Sequence, residues 1–263
     1  MTAVVAREVR REVRGGRVFA RACAAEWTRL WTVRSTWWCL AAGVLVMAGI
    51  STIAGLEAAS AAEAPRGASA WAAAAVTGLP GQFAVLALAL TAVTSDYATG
   101  GIVPSLQWTP RRPVFFLARA VVAVAVAAVL GALLLSVAAL ASFVAASPLL
   151  TLAGAGDVLP KVVFAFAAGA AFALGLGFLL RNTAGTLVVV FLLMLVLPLV
   201  LPNFGFAWTD AIADVLPGSG AAFLLVGEVP GMTTTSSATT LLCWAGGTLL
   251  LGWLRLARDD ANR

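Results

Sequence analysis

Residues 162–201 read VVFAFAAGAAFALGLGFLLRNTAGTLVVVFLLMLVLPLVL. Two uncharged apolar runs, 162–180 and 184–201, flank a short polar turn. Each run comes close to the roughly 20 residues that cross a hydrocarbon core of about 30 Å at about 1.5 Å per residue. In lipid, backbone groups are satisfied only within helices or closed barrels. The Leu-, Val- and Ala-rich composition lacks the period-2 alternation of barrel strands. The pair is therefore predicted to be two antiparallel membrane-spanning helices joined by a tight turn.

Working outward, four more runs have the same character, at about 36–55, 72–94, 120–145 and 237–254. Apolar residues make up 61% of the chain and charged residues 11%, against about 45–50% and about 25% in soluble domains. The predicted fold is all-α, a polytopic membrane protein with six transmembrane helices. Residues 1–35 form a basic cytoplasmic segment, 36–256 the six-span domain and 257–263 a cytoplasmic tail.

Lys and Arg resist translocation, which sets orientation. With the N-terminus inside, six crossings put both termini in the cytoplasm, and fifteen of the seventeen basic residues fall inside. Only Arg66 and Lys161 fall outside. The expected location is the bacterial plasma membrane. These arginines flank spans rather than forming one face of a soluble fold, so they read as topology anchors and no nucleic-acid partner is expected.

Phe19, Cys23, Trp27, Leu30 and Trp31 recur at helical spacing among eight arginines of the N-terminal segment. An amphipathic interfacial helix lying on the lipid bilayer is predicted there, interrupted near Gly15 and Gly16. Gly78, Pro80 and Gly81 should kink the second run near its outer end or delay its start. Residues 113–119 are expected at the inner interface, with Arg119 snorkelling to the headgroups. Gly169, Ala173 and Gly177 form a small-residue strip that admits a close neighbour. The outer segment 202–236 is too apolar for a free loop and too rich in Pro and Gly for one helix, so short helices dipping into the outer leaflet are expected.

The chain has no histidine, which excludes His-based triads, zinc sites and proton relays. Its one lysine, Lys161, follows Leu159-Pro160 instead of a glycine-rich turn, so there is no P-loop. No run carries an ionisable residue near its middle, which disfavours an ion-coupled carrier. Asp210, Asp214 and Glu228 are the one acidic group that an enzyme could use, and their irregular spacing makes a poor acid/base pair. The chain is expected to be no enzyme and to hold no cofactor or metal.

The segment after the second run differs from the rest: Thr94-Ser95-Asp96-Tyr97-Ala98-Thr99-Gly100-Gly101-Ile102-Val103-Pro104-Ser105-Leu106-Gln107-Trp108-Thr109-Pro110-Arg111-Arg112. The glycines permit a sharp turn. Ile102, Val103 and Leu106 then follow at helical spacing, Pro110 is a stop, and Arg111 and Arg112 come after it. A short amphipathic cytoplasmic helix presenting apolar knobs to a partner fits the pattern. An interfacial loop with anchoring arginines fits it equally. In the turn at 181–185, Arg181 reads as an anchor or a cytoplasmic contact, and Asn182 as the residue that tolerates left-handed backbone.

This stretch resembles the cytoplasmic segment of ABC-2 type permeases, the membrane subunits of bacterial ATP-binding-cassette exporters, at Asp96, Tyr97, Gly100, Ile102, Leu106, Pro110 and Arg111. It departs at Gly101, where threonine is usual, and at Pro104. Three further pieces resemble the same family, notably its actinobacterial members. They are Glu26 with Thr32–Trp38, the turn Gly175–Gly185, and the outer segments Leu201-Pro202-Asn203 and Leu216–Gly220.

The resemblance implies a permease subunit in a homodimer, or in a heterodimer with a similar chain, docked on separate ABC ATPase subunits that bind ATP and magnesium. Asp96 to Arg112 would be the ATPase-coupling segment, with a short coupling helix in it. A non-transporting membrane assembly or immunity protein would share the topology without an ATPase. An ion-coupled secondary carrier is a further alternative.

Overall fold

The computed structural model describes residues 15–60, 67–109, 111–147, 149–227 and 229–258. Helix α1 covers Gly15–Thr32, α2 Arg34–Ser60, α3 Ala70–Val76, α4 Gly78–Thr99, α5 Ile102–Trp108, α6 Arg112–Ala145 and α7 Ala155–Leu180. Helix α8 (Thr183–Phe191) runs through a π turn at Leu192–Val196 into α9 (Leu197–Val200) and a 3-10 turn at Leu201–Phe204. Helices α10 (Ala207–Asp214), α11 (Pro217–Val226) and α12 (Thr234–Arg258) follow. The one sheet among the described residues pairs the two-residue strands β1 (Ala68–Ser69) and β2 (Leu150–Thr151) in parallel, with Ala68 opposite Leu150.

Among the described residues, six helices are long and apolar enough to cross a membrane: α2, α4, α6, α7, the composite Thr183–Phe204, and α12. Each contains the core of a predicted run. Their outward surfaces are apolar, with Leu45, Ile53, Leu133, Leu140, Val144 and Leu250 all more than half exposed. Water would oppose so continuous an apolar surface, whereas lipid solvates it.

Helix α7 is the central post, packed by α12, α4 and α6, while α2 packs on α6 and α4. The small-residue strip does admit a close neighbour, α4. A Cβ on Gly169 would lie 3.0 Å from Leu86, and one on Gly177 would lie 3.4 Å from the Leu90 carbonyl oxygen. Another pair of glycines brings α12 closer still. A Cβ on Gly175 would sit 2.5 Å from the Thr248 carbonyl carbon, and one on Gly252 would sit 2.8 Å from the Gly175 oxygen.

The break near Gly78 is real: α3 and α4 are separate helices meeting at Thr77. In the third span, residues 113–119 and the apolar run after them form one unbroken 34-residue helix, α6, about 51 Å long. The fourth span also starts earlier than predicted, taking Pro160 and Lys161 into its first turns. Between the fifth and sixth spans, α10 and α11 are two short helices bent by 75°. Residues Pro217 to Ala221 are buried.

Candidate functional site

The end of α4, the starts of α5 and α6, the ends of α7 and α12, and helix α1 gather at one end of the bundle. The arginines of this end organise it. Helix α1 packs along α6 and presents Glu26 and Arg29, one turn apart, at 4.0 Å. Asp96 stands in the last turn of α4 and Arg119 in the third turn of α6.

These four side chains form one network. Arg119 Nη2 and Nε donate to Glu26 Oε1 and Oε2 at 2.7 and 3.1 Å. Its Nη1 donates to Asp96 Oδ2 at 2.8 Å. Arg29 Nη1 reaches the same Asp96 oxygen at 2.7 Å, and Arg29 Nη2 donates to the Ala92 carbonyl. The Phe115 ring lies 4.4 Å from the Arg119 guanidinium carbon. Two cations and two anions balance, which lets Arg119 sit at 1% exposure. A buried charge persists only when paired and hydrogen-bonded. Arg119 therefore does not snorkel. It faces inward because two carboxylates from other helices meet it there.

Helix α5 hangs from this network. Gly100 closes α4 in the left-handed region, at φ 72°, where a side chain would be strained. Ile102 turns inward, 2% exposed, onto Phe115, Phe116, Leu174, Phe178 and Leu256, with Tyr97, Val103 and Leu106 at the edge of that cluster. The predicted apolar knobs are thus the seat of α5 and not its outward face. Pro104, Gln107 and Trp108 point out, Trp108 at 88% exposure. Arg111 is exposed at the start of α6, and Pro110 lies outside the described residues.

Neighbouring arginines tie helix ends together. Arg112 Nη1 donates to the carbonyls of Leu256 and Ala257 at 2.8 and 3.0 Å, at the end of α12. Arg255 donates to the Leu179 carbonyl at the end of α7. Cations at helix C-termini satisfy orphan carbonyls and oppose the helix dipole. Arg181 Nη2 reaches the Arg255 carbonyl at 3.4 Å, and its guanidinium lies 5.1 Å from the Tyr97 ring. The left-handed residue of the α7–α8 turn is Arg181 itself, at φ 56°. Asn182 is extended and caps α8, its Oδ1 accepting from the Gly185 amide at 2.8 Å. An N-cap needs extended backbone and a short side-chain acceptor, and Asn182 supplies both.

The structure therefore brings Asp96, Tyr97, Gly100, Ile102, Leu106 and Arg112 to one end of the bundle with Arg181 and Asn182. Arg119, expected at the headgroups, and Arg29, read as a topology anchor, complete the site instead. The available signal was a charge inside an apolar helical run, which requires a partner. Helix α1 is held by these ion pairs and by Leu30, 8% exposed. Trp27 is half exposed and meets Trp31 edge-on at 5.6 Å, and Trp31 meets Trp37 at the start of α2 at a tilt, 5.7 Å away. Burial, and after it the Glu26 carboxylate, raises the pKa of the Cys23 thiol on α1.

The acidic group at the other end is partly assembled. Asp210 and Asp214 line one cleft, and Glu228 lies outside the described residues.

No protein-family model matches this chain, and no curated protein matches it significantly.

Proposed function

We propose that this chain is the permease subunit of an ABC-2 type exporter, forming the substrate pathway as a dimer and driven by a separate ATPase that carries ATP and magnesium. The observation that carries this reading is the seating of α5. Ile102 fixes it to the bundle, the Asp96–Arg119 pair joins the helices on either side of it, and Trp108 stands out almost fully exposed. A helix held so firmly from within, with a large apolar side chain turned outward, suits a mechanical contact. A push on α5 passes to α4 and α6 through short rigid links, and Glu26 carries it to α1. In this reading α5 and the arginine-bearing end face the cytoplasm, and α1 and the start of α2 also touch the inner membrane surface through Trp27 and Trp37.

The experiment is co-expression with an ATP-binding-cassette ATPase encoded beside this chain. Wild type should co-purify with the ATPase and stimulate its ATP hydrolysis. Trp108→Glu should abolish both without changing the melting temperature, because the side chain makes little contact within the chain. Retention of both in Trp108→Glu would refute the contact. Uphill, ion-gradient-driven uptake by the purified chain alone would refute the whole assignment.

A further inference from the structure

The composite Thr183–Phe204 span is irregular at its centre. Its five-residue π turn is followed closely by Pro198. Proline has no N–H for the Met194 carbonyl, and in an α turn its ring would clash with that oxygen. The wider π turn accommodates both defects. Gly218 of α11 presses against the same carbonyl so closely that no Cβ would fit.

Beyond that contact, the span and the bent α10–α11 pair enclose a cleft of about 870 Å³. This lies within the roughly 300–1,000 Å³ of small-molecule sites. Met194, Leu195, Pro198 and Val226 give it apolar walls. Asp210 and Asp214, one turn apart on α10, line it with two carboxylates, and no Lys or Arg is among its described lining residues. Neither carboxylate is in a salt bridge among the described residues. Carboxylates four apart on a helix repel one another, and a bound cation would remove that repulsion.

The geometry points to this cleft as a binding site for a hydrophobic cation, one positive charge on an apolar body. Charge selects the ligand through Asp210 and Asp214, and the walls take up its body. Binding of this kind is independent of how the chain is powered.

The test is equilibrium dialysis of the purified full chain in dodecyl maltoside against tetraphenylphosphonium. Saturable binding is expected. It should weaken at least tenfold in Asp210→Asn/Asp214→Asn, whose exposed positions leave folding unchanged by melting temperature. Ala222→Phe, which fills the cleft with both carboxylates intact, should also lose it. Tetraphenylborate has the same shape and the opposite charge and should not bind saturably. If phosphatidylethanolamine competes and phosphatidylglycerol does not, the natural cation is a lipid amine. If neither competes, it is a solute, and either result supports the site. Undiminished binding by the double variant, or equal binding of tetraphenylborate, would overturn it.

Discussion

Arg119 holds Glu26 through two parallel hydrogen bonds, Nη2 to Oε1 at 2.7 Å and Nε to Oε2 at 3.1 Å, across 93 positions of sequence. This bidentate grip fastens α1 to the wall of the bundle. The same guanidinium holds Asp96, so one side chain joins three helices.

Arg119→Met should therefore be severe. It leaves Glu26 and Asp96 to share the single cation of Arg29 in a mostly buried setting, at a cost of about 3–5 kcal/mol. Arg119→Lys should fall in between, because an ammonium cannot reproduce the two-pronged geometry. Thermal unfolding of the purified protein measures both, and an unchanged transition for Arg119→Met would remove the network's structural role.

Cys23 gives a second handle on the same joint. Burial and the Glu26 carboxylate raise its pKa, so its thiolate fraction near pH 7–8 is lower than that of a free thiol. Glu26→Gln removes the negative charge and loosens α1, and both changes favour the thiolate. Maleimide labelling of Cys23, in a background with Cys39 and Cys243 replaced by serine, should accelerate severalfold. A slower or equal rate would contradict the docking of α1.

The α7–α12 crossing should tolerate no side chain at its closest point. Gly175→Leu should prevent assembly, since even a Cβ lies 2.5 Å from the Thr248 carbonyl carbon. Gly246→Ala, with nothing within 4 Å of its Cβ, should be neutral or stabilising by up to about 1 kcal/mol. Yield of monodisperse protein on gel filtration distinguishes them. Equal yields would mean that the two backbones do not touch.

Gln82 is fully buried in α4, and neither its amide nitrogen nor its oxygen has a partner among the described residues. An unsatisfied buried polar group costs about 1–3 kcal/mol. Gln82→Leu should raise stability by that order in the same unfolding assay. A loss of stability would show that the amide is bonded.

Much of this fold can be read from local pattern. The six apolar runs mark the spans because length and composition alone decide what lipid tolerates. Gly78, Pro80 and Gly81 announce the break before α4, and Pro and Gly announce the short helices near 207–226. The site was less legible, for a physical reason. The spacing of Ile102, Val103 and Leu106 shows that α5 has an apolar side, but direction depends on whether Phe115 and Phe178 are there to receive it. Arg119 shows a charge in an apolar run, but Glu26 and Asp96 become its partners only once α1, α4 and α6 are packed. Pro198 signals a disturbance in the fifth span without saying whether the chain will kink or widen, and the close approach of Gly218 belongs to the widened form.

The Asp96–Arg119 pair closes the chain on itself across 23 positions, with all of α5 inside the loop. A backbone cut anywhere in that loop would leave both sides still clamped, α4 and α6 joined by the ion pair and by their packing. The short helix inside the loop is fixed at both ends, and under the proposed coupling role severing it would interrupt the transmission of force while the bundle stayed whole.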